Sequence, residues 1–432
     1  MNDLSEAEGR WYQGITRYQW LVFAIACLGW IFDVFESQVF AVFKSPAMAD
    51  LLGVAETDSA VDWFGNAGFA SFLIGGAAGG LLFGILADRI GRRRTMVWSI
   101  LMYSGFTGLH YFAQGPWQIV ILRFFVAMGV AGEWAVAVSL VSEVFPKRAR
   151  AMAGGVFHAS SVLGAVLAAG TGMLLDKATD WRPAFLVGLL PGLLVVWVLV
   201  SLKESEKWTA ASSGGTDEAQ PKRKGGSLLE LLGPGPWRSR ALIGLGLASV
   251  GLGTYWGIYA WGPELVFDVL GNTVSDEERR SAASFAYLIM NFTGGLAGLL
   301  LFAPVTMLTN RRTAFAIYHL GALIVAPFTF LASQEYWHTM VLLPCTAFFV
   351  VGMHAGYAIY FPELFPTRLR ATGSSFCFNV GRFVAALMLL VRGQLRDWLG
   401  LRWAVTAMAS LFLVGLILLL FAPETKDVEL PE

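Results

Sequence analysis

The apolar residues of this chain fall into long, nearly unbroken runs that are separated by short polar stretches. Each run is close to the ~20 residues that an α-helix needs to cross a lipid bilayer. Twelve runs can be marked, at about residues 18–43, 63–87, 95–113, 117–142, 151–174, 183–202, 240–267, 282–306, 313–332, 338–361, 371–393 and 403–421. The pattern predicts an all-α polytopic membrane protein with twelve transmembrane helices.

A polar segment at residues 204–238 divides the predicted spans six and six. It is rich in Ser, Gly, Pro, Lys and Glu, a composition that cannot bury a core and that predicts a cytoplasmic linker. We therefore expect an N-terminal six-helix bundle at residues 1–203 and a C-terminal six-helix bundle at residues 239–432.

Two short patterns occur once in each half of the chain. Residues 143–150, Glu-Val-Phe-Pro-Lys-Arg-Ala-Arg, recur as residues 363–370, Glu-Leu-Phe-Pro-Thr-Arg-Leu-Arg, with an offset of 220. A glycine-rich pattern at residues 75–83 recurs at residues 294–302, with an offset of 219. These repeats indicate that a six-helix unit has been duplicated.

The basic residues predict the orientation of the chain in the membrane. An even number of spans places both termini on one side. The hairpins on that side and the linker hold most of the Lys and Arg residues, whereas the opposite loops hold far fewer. Because cytoplasmic loops carry the excess of positive charge, we expect both termini in the cytoplasm.

Composition narrows the possible functions. The chain is 56% apolar and 14% charged, against roughly a quarter charged in soluble proteins. A net charge of zero argues against a nucleic-acid partner. The sequence lacks the phosphate-cradling Gly-x-x-x-x-Gly-Lys-Ser/Thr motif, so it gives no reason to expect an ATP-driven pump. The three cysteines lie inside apolar runs and have neither disulfide nor metal spacing. We predict no cofactor, no metal site and no enzymatic activity.

The hairpin after the second predicted span carries one acid and four bases. From Gly84 to Arg94 it reads Gly-Ile-Leu-Ala-Asp-Arg-Ile-Gly-Arg-Arg-Arg. Charges cannot rest in hydrocarbon, so this hairpin lies at a membrane face. Gly84 would let a neighbouring helix pack closely, and Gly91 would permit a tight turn. Asp88 is expected near the start of another helix, where the positive end of the dipole favours a carboxylate.

This hairpin resembles the loop 2–3 motif of the major facilitator superfamily, Gly-x-x-x-Asp-Arg-x-Gly-Arg-Arg-Lys/Arg, at every defined position. The resemblance covers essentially the whole chain, since a duplicated six-helix unit is that family's architecture. It implies two bundles with pseudo-twofold symmetry that rock around a midplane site, in a transporter that functions as a monomer. The second hairpin departs from the motif, with Met307 in place of the acid and Asn310 in place of the second glycine.

Several ionisable residues lie inside predicted spans, where charges are costly and usually functional. Asp33 and Glu36 are three residues apart and therefore share one helix face. A rise of about 1.5 Å per residue places Arg123 at a similar depth and Glu133 slightly deeper. The other buried ionisable candidates are His158, Glu264, His354 and Arg382.

We assign proton coupling to Asp33, Glu36, Arg123 and Glu133. A carboxyl group in a low-dielectric cavity can take up a proton near neutral pH. Arg123 can neutralise only one of the two carboxylates on the first helix, which leaves the other as a proton carrier. A purely structural ion pair is the alternative for Arg123.

The family resemblance implies that helices 1, 4, 7 and 10 line the transport path, and it guides the choice of substrate-binding residues. Arg382 offers a fixed charge for a substrate carboxylate. The histidines could instead be polar packing residues, and the aromatic side chains could face lipid. The predicted substrate-binding residues are Trp134, His158, Tyr255, Trp256, Tyr259, Asn291, His354 and Arg382.

A cytoplasmic gate is predicted from the hairpin motif and from the repeated Glu-to-Arg pattern. These residues are expected to brace the inner ends of the two bundles rather than to bind substrate. The predicted gate residues are Gly84, Asp88, Arg89, Gly91, Arg92, Arg93, Glu143, Arg150, Glu363 and Arg370.

Two finer patterns resemble the metabolite–proton symporters, especially the sialate and lactate-type branch. They are the helix 4 pattern from Arg123 to Trp134 and the helix 1 pattern from Phe32 to Glu36. That branch has Asp-x-x-Asp in helix 1, and here Glu36 holds the second position, so the substrate's identity cannot be carried over. The resemblance implies a proton-coupled symporter of a small organic anion such as a monocarboxylate or sugar acid. The alternatives are an uncoupled or proton-coupled carrier of a neutral sugar, or a non-transporting sensor.

Overall fold

The first half of the chain forms six membrane-crossing helices. A computed structural model describes residues 10–175, 181–213, 225–271 and 273–431, and these residues form helices and loops without any strand. The first six crossings are α1 (Arg17–Leu52), α2 (Ser59–Ile90), α3 (Arg92–Leu109), α4 (Pro116–Val144), α5 (Lys147–Ala159 and Ser161–Leu174) and α6 (Trp181–Val187 and Pro191–Ser201).

The second half repeats this arrangement with more breaks. Its first four crossings are α7 (Pro236–Gly257 and Gly262–Leu270), α8 (Asp276–Ile289 to Leu296–Leu308), α9 (Arg311–Ala332) and α10 (Tyr336–Leu364). The long helix Arg370–Ala409 has a non-helical residue at Gly400, with φ 73° and ψ 161°. It therefore comprises α11 before this kink and the start of α12 after it, and α12 continues through Leu411–Phe421.

The twelve predicted crossings are confirmed. Ten helical stretches in the described part of the chain are individually long and apolar enough to span a membrane. The other two are α3, which begins with three arginines, and α11, which carries many polar residues on the face that it turns to α2.

The first helix is longer than its apolar run predicts. It continues past residue 43 to Leu52, because Phe43, Ala47 and Met48 are buried in a second hydrophobic cluster. Gly53 then ends the helix in the left-handed conformation, with φ 68°.

Close helix contacts repeat between the halves and confirm the duplication. Gly75 and Gly79 of α2 lie against the backbone of α4, at Phe124 and Met128, so closely that a Cβ atom would overlap it. The equivalent glycines of α8 lie equally close to the backbone of α10, with Gly294 against Pro344 and Gly298 against Phe348.

Both described chain ends lie at one end of the bundles, which we call the basic face. Arg148 donates to the Gln13 carbonyl, and Lys147 donates to the Asp427 carbonyl, so the N-terminal and C-terminal segments meet at the start of α5. The two bundles also touch at this face, where α2 packs on α11 and α5 packs on α8 and α10.

The linker lies against the basic face. Its described parts contain two short helices, Glu206–Ser213 and Leu228–Leu232, and residues 214–224 lie outside the described ranges. Trp208 donates to the Asp88 carbonyl at 3.0 Å, and Arg89 donates to the Gly225 carbonyl at 3.3 Å. These contacts hold the linker on the hairpin between α2 and α3. The domain limits at residues 204–238 stay a prediction.

Candidate functional site

Two carboxyl groups meet between α1 and α4. Asp33 and Glu133 are fully buried and adjacent, and a carboxylate oxygen of Glu133 occupies the space above Gly29, one helical turn before Asp33. Within the described ranges none of their four carboxylate oxygens accepts a hydrogen bond. Two adjacent carboxylates cannot both ionise cheaply in a water-excluded site, so the arrangement favours holding at least one proton.

Arg123 is paired with the other predicted acid. Its Nη1 lies 3.0 Å from Glu36 Oε1, and both side chains are buried. The guanidinium also lies 4.3 Å from the ring centroids of both Phe40 and Phe72. The sequence left open which carboxylate Arg123 neutralises, and the structure selects Glu36 and leaves Asp33 without that partner.

Arg382 of α11 lies at the boundary between the bundles. Its guanidinium rests over Gly76 of α2, where a Cβ atom would overlap Nη1. Asp33 is its acidic electrostatic neighbour, and Nη1 has no hydrogen-bond partner among the described residues. Glu264, the other ionisable candidate of the C-terminal half besides His354, pairs with Arg396. Arg382 can therefore offer a free charged donor to an anion.

Two histidines face each other across the same boundary. The rings of His158 and His354 stack with centroids 6.5 Å apart. Nδ1 of His158 and Nε2 of His354 lack partners in the described part of the chain. Trp30 donates to the His158 carbonyl at 3.1 Å and fixes that turn of α5. These free nitrogens add polar groups to an otherwise apolar boundary.

Aromatic side chains surround the histidines and Arg382. Tyr255 stacks on Tyr259 with centroids 4.8 Å apart, and its ring also meets the edge of the His354 ring at 5.5 Å. Trp134 of α4 stacks on Phe378 of α11 at 4.2 Å, which joins the two bundles. The wall is therefore built from both halves of the chain.

The breaks in α7 and α8 support this wall. α7 is interrupted by a 3-10 turn at Tyr259–Trp261, and α8 contains a π-helical turn at Met290–Gly295. The Tyr259 hydroxyl donates to Asn291, which joins the two irregular turns. The rings of Trp256 and Tyr255 meet edge to face with centroids 5.4 Å apart, and the Trp256 carbonyl accepts a hydrogen bond from Arg392. Of the eight predicted substrate residues, Trp134, His158, His354 and Arg382 contact the opposite bundle. Tyr255 borders His354, and the reported contacts of Trp256, Tyr259 and Asn291 lie within the C-terminal bundle.

Asp88 bridges the bundles at the basic face. Its carboxylate accepts from the backbone nitrogens of Ala371 and Thr372, at 3.2 and 2.8 Å, and from the Thr372 hydroxyl at 2.6 Å. These amides belong to the first turn of α11, so the expected helix-start environment is confirmed. Gly84 lies against the same turn at Ala371, as its predicted packing role requires.

Glu143 forms a second bridge. It accepts from Arg92 of its own bundle at 2.7 Å and from Arg370 of the other bundle at 2.9 Å. Arg92 also donates to the Thr367 carbonyl at 2.8 Å. The equivalent acid, Glu363, binds Arg311 at 2.9 Å within its own bundle. These charge-assisted bonds close the basic face.

Two acidic caps were missed from the sequence. Glu204 accepts from the backbone nitrogens at the start of α3, and Glu424 does so at the start of α9, with 3.1 Å bonds to Arg311 and Arg312. Burial would raise the pKa of Glu424, but backbone donors at residues 426, 312, 311 and 425 hold it below its ordinary value. Glu204 and Glu424 are 220 residues apart, the same offset that separates the repeated acids at residues 143 and 363. This offset was the sequence signal that could have identified the two caps.

Twelve crossings in two repeats, with free charged groups at their boundary, define a membrane transporter rather than an enzyme. The sequence profile of the Major Facilitator Superfamily matches residues 20–388, and the chain belongs to this family. It is therefore a multi-pass integral membrane protein.

Individual relatives also indicate this family. A putative metabolite transport protein of Haemophilus influenzae is 30% identical over 422 residues, covering 95% of this chain and 98% of the relative. The sialic acid transporter NanX of Escherichia coli is 27% identical, with 86% of each chain covered. Among solved structures, the proton:xylose symporter XylE has a TM-score of 0.77 at 19% identity, covering 96% of this chain and 98% of XylE. That likeness shows the fold.

Proposed function

We propose that this protein is a proton-coupled symporter of a small organic anion that works by alternating access. The observation that carries the proposal is Arg382, whose Nη1 has no partner in the described part of the chain, beside the adjacent acids Asp33 and Glu133. An anion can occupy the free donor while a proton occupies the acid pair, so one site serves both ligands.

Neutralisation explains why both ligands are needed. Without a proton, the two acids repel each other, and one of them attracts Arg382 away from an anion. A proton on Asp33 or Glu133 removes that competition and frees the guanidinium for the substrate carboxylate. The loaded site then carries less net charge, which lowers the barrier to moving the bundles past each other in a low-dielectric boundary.

The aromatic wall and the histidines give the proposed site its shape. Tyr255 and the His354 ring can stack against a flat or ring-shaped part of the substrate. The free nitrogens of His158 and His354 can bind its hydroxyl or carbonyl groups. The relative named as a sialic acid transporter supports an organic acid as substrate.

The closed basic face supports a direction for the cycle. We propose that this face is cytoplasmic, because it gathers the Lys and Arg residues. The bonds from Asp88 to α11 and from Glu143 to Arg370 close that side. The structure then corresponds to a state whose site is reached from outside, and transport requires these bonds to break.

Uptake into proteoliposomes tests the proposal. Labelled organic acids, including sialic acid, are offered with an inward proton gradient, with no gradient, and with a proton ionophore. We expect accumulation only with the gradient, and its loss in Arg382→Gln but not in Arg396→Gln, a control on the same helix whose arginine is half exposed. Gradient-independent equilibration of a neutral sugar would instead support a facilitator, and no uptake of any solute would support a sensor.

A further inference from the structure

A small cavity at the basic face contains Arg150, which was predicted as a gate residue but whose side chain makes none of the described bonds that bridge the bundles. It has a volume of about 170 Å³ and lies between the start of α5, the ends of α8 and α10, and the C-terminal tail. Arg150 lines it and is only 4% exposed. Within the described ranges the Arg150 side chain donates no hydrogen bond and forms no ion pair, and its Nε is buried without a partner.

The pseudo-twofold repeat shows which partner this arginine lacks. In one half, Glu143 binds Arg370 of the opposite bundle at 2.9 Å. The equivalent bond would join Glu363 to Arg150, and within the described ranges it is not formed. Glu363 keeps Arg311 at 2.9 Å and the Thr425 hydroxyl at 2.6 Å, which correspond to the bonds of Arg92 and Ser205 to Glu143. The guanidinium of Arg150 is left facing the cavity without an acidic partner in bonding contact.

The cavity is strongly basic. Its lining carries five basic side chains and two acidic ones, which are Lys147, Arg148, Arg150, Arg311, Lys426, Glu363 and Asp427. Glu363 is bonded to Arg311, and Lys147 pairs with Glu429 at 3.7 Å. Arg148 and Lys426 donate to backbone carbonyls, so Arg150 is the base of this lining whose side chain has no bonding partner within the described ranges. The start of α5 also points here, with Pro146 as an N-cap residue that supplies no side-chain hydrogen bond. A helix N-terminus and free guanidinium donors together form an anion-binding environment.

We propose that this cavity is a second binding site, separate from the transport site, for a phosphate group. A volume of 170 Å³ equals that of roughly five or six water molecules, which suits a compact oxyanion. Arg150 would bind it with two parallel hydrogen bonds, supported by Lys147 at the rim. The phosphate belongs either to a free inorganic ion or to an anionic lipid headgroup.

Occupation of this site would couple to the transport cycle. The lining comes from both bundles and from the tail, so the cavity exists as a unit only while the basic face is closed. A ligand that binds one state alone shifts the equilibrium towards that state. Bound phosphate would therefore hold the basic face closed and slow the turnover of the carrier.

The test measures thermal stability of the full-length protein in phosphatidylcholine nanodiscs. Inorganic phosphate is titrated against chloride at matched ionic strength. We expect a rise in melting temperature with phosphate and not with chloride. In Arg150→Gln the half-maximal phosphate concentration should be at least ~10-fold higher, since a charge-assisted bond is worth about that factor. Arg238→Gln, at an exposed position outside the cavity, is the matched control and should respond like wild type.

A second variant and a second lipid complete the design. Lys147 is partly exposed, so Lys147→Gln should fold even if Arg150→Gln does not, and its phosphate response should also weaken. Nanodiscs with phosphatidylglycerol identify the source. Stabilisation that needs this lipid and is lost in the cavity variants indicates a headgroup, whereas a response to phosphate in phosphatidylcholine alone indicates the free ion. Equal responses in wild type and both cavity variants, or no response of wild type to either source, would overturn the proposal.

Discussion

At the scale of single residues, the central site contains one acid that an arginine neutralises and two acids that lack such a partner. Glu36 has Arg123 at 3.0 Å, whereas Asp33 and Glu133 have only each other and the more distant Arg382. The first pair is a buried ion pair within the N-terminal bundle, whereas the carboxylate oxygens of the second pair have no hydrogen-bond partner among the described residues. We therefore propose different roles for the predicted coupling residues.

The buried pair Glu36–Arg123 gives a stability prediction. Glu36→Gln removes one partner and leaves the guanidinium uncompensated, which should destabilise the protein by about 3–5 kcal/mol. The double variant Glu36→Gln with Arg123→Met removes both charges and should recover most of that loss. Melting temperatures of the purified proteins measure the effect. A single variant as stable as wild type would show that the pair contributes nothing.

Arg382 gives a prediction on affinity. Arg382→Lys keeps the charge but loses the planar fork, so binding of a carboxylate should weaken by about tenfold or more. Equilibrium binding of candidate acids to the purified variant measures this, with Arg396→Lys as the control on the same helix. Unchanged affinity would assign Arg382 a structural role only.

Sequence spacing could identify these residues but not pair them. Asp33 and Glu36 share a helix face, and Arg123 was placed at the same depth, so either pairing was consistent with the spacing. The choice depends on the rotation of α4, which Phe40 and Phe72 fix by packing on the guanidinium. The contact of Glu133 with Gly29 likewise depends on how closely α1 and α4 approach each other. The residue pattern of one helix does not give that distance.

At the level of helices, the crossing of α2 and α11 positions the charged groups of the site. Gly76 and Gly84 lie along the same side of α2, one beneath Arg382 and the other against the first turn of α11. The missing side chains let the two helices approach, so the position of the guanidinium depends on the shape of α2.

Gly76→Ala tests that dependence. A Cβ atom there would overlap Arg382 Nη1 and push the guanidinium from its present position. We expect weaker anion binding, in the same direction as Arg382→Lys, with the protein still folded because a flexible side-chain end can shift. Gly105→Ala on α3 has open space around its Cβ and serves as the control. Wild-type affinity in Gly76→Ala would mean that this contact does not position Arg382.

Most helices could be predicted from the sequence because long apolar runs have few alternatives in a bilayer. The irregular turns could not. The π-helical turn at residues 290–295 lies inside a continuous apolar run, and it reflects the close approach of Gly294 to the backbone at Pro344. The caps Glu204 and Glu424 were hidden in polar segments, where an acidic residue ordinarily has no specific partner.

For the molecule as a whole, the proposed transport cycle depends on the bonds that close the basic face. Asp88 receives three hydrogen bonds from the start of α11, and they link the two bundles. Because the bonds are charge-assisted and the acid is buried, their loss should matter more than that of a surface pair.

Asp88→Asn should shift the protein towards the state with an open basic face. Replacing the carboxylate removes its charge while keeping its size, so the population should change by about tenfold or more at constant fold. Accessibility of single introduced cysteines near each face measures the shift, and Asp62→Asn, exposed in the first turn of the same helix, is the control. Wild-type labelling together with normal uptake would exclude this role for Asp88.

The central claim is that the pair Asp33 and Glu133 couples a proton to the solute, and side-by-side accumulation and exchange test it most directly. Proteoliposomes carry wild type, Asp33→Asn or Glu133→Gln. The account predicts that at least one variant loses accumulation driven by a pH gradient yet still exchanges labelled for unlabelled solute, since exchange needs no net proton movement. If both variants still accumulate solute against its gradient, these carboxyl groups do not couple transport to protons and the carrier works as a facilitator or through other residues.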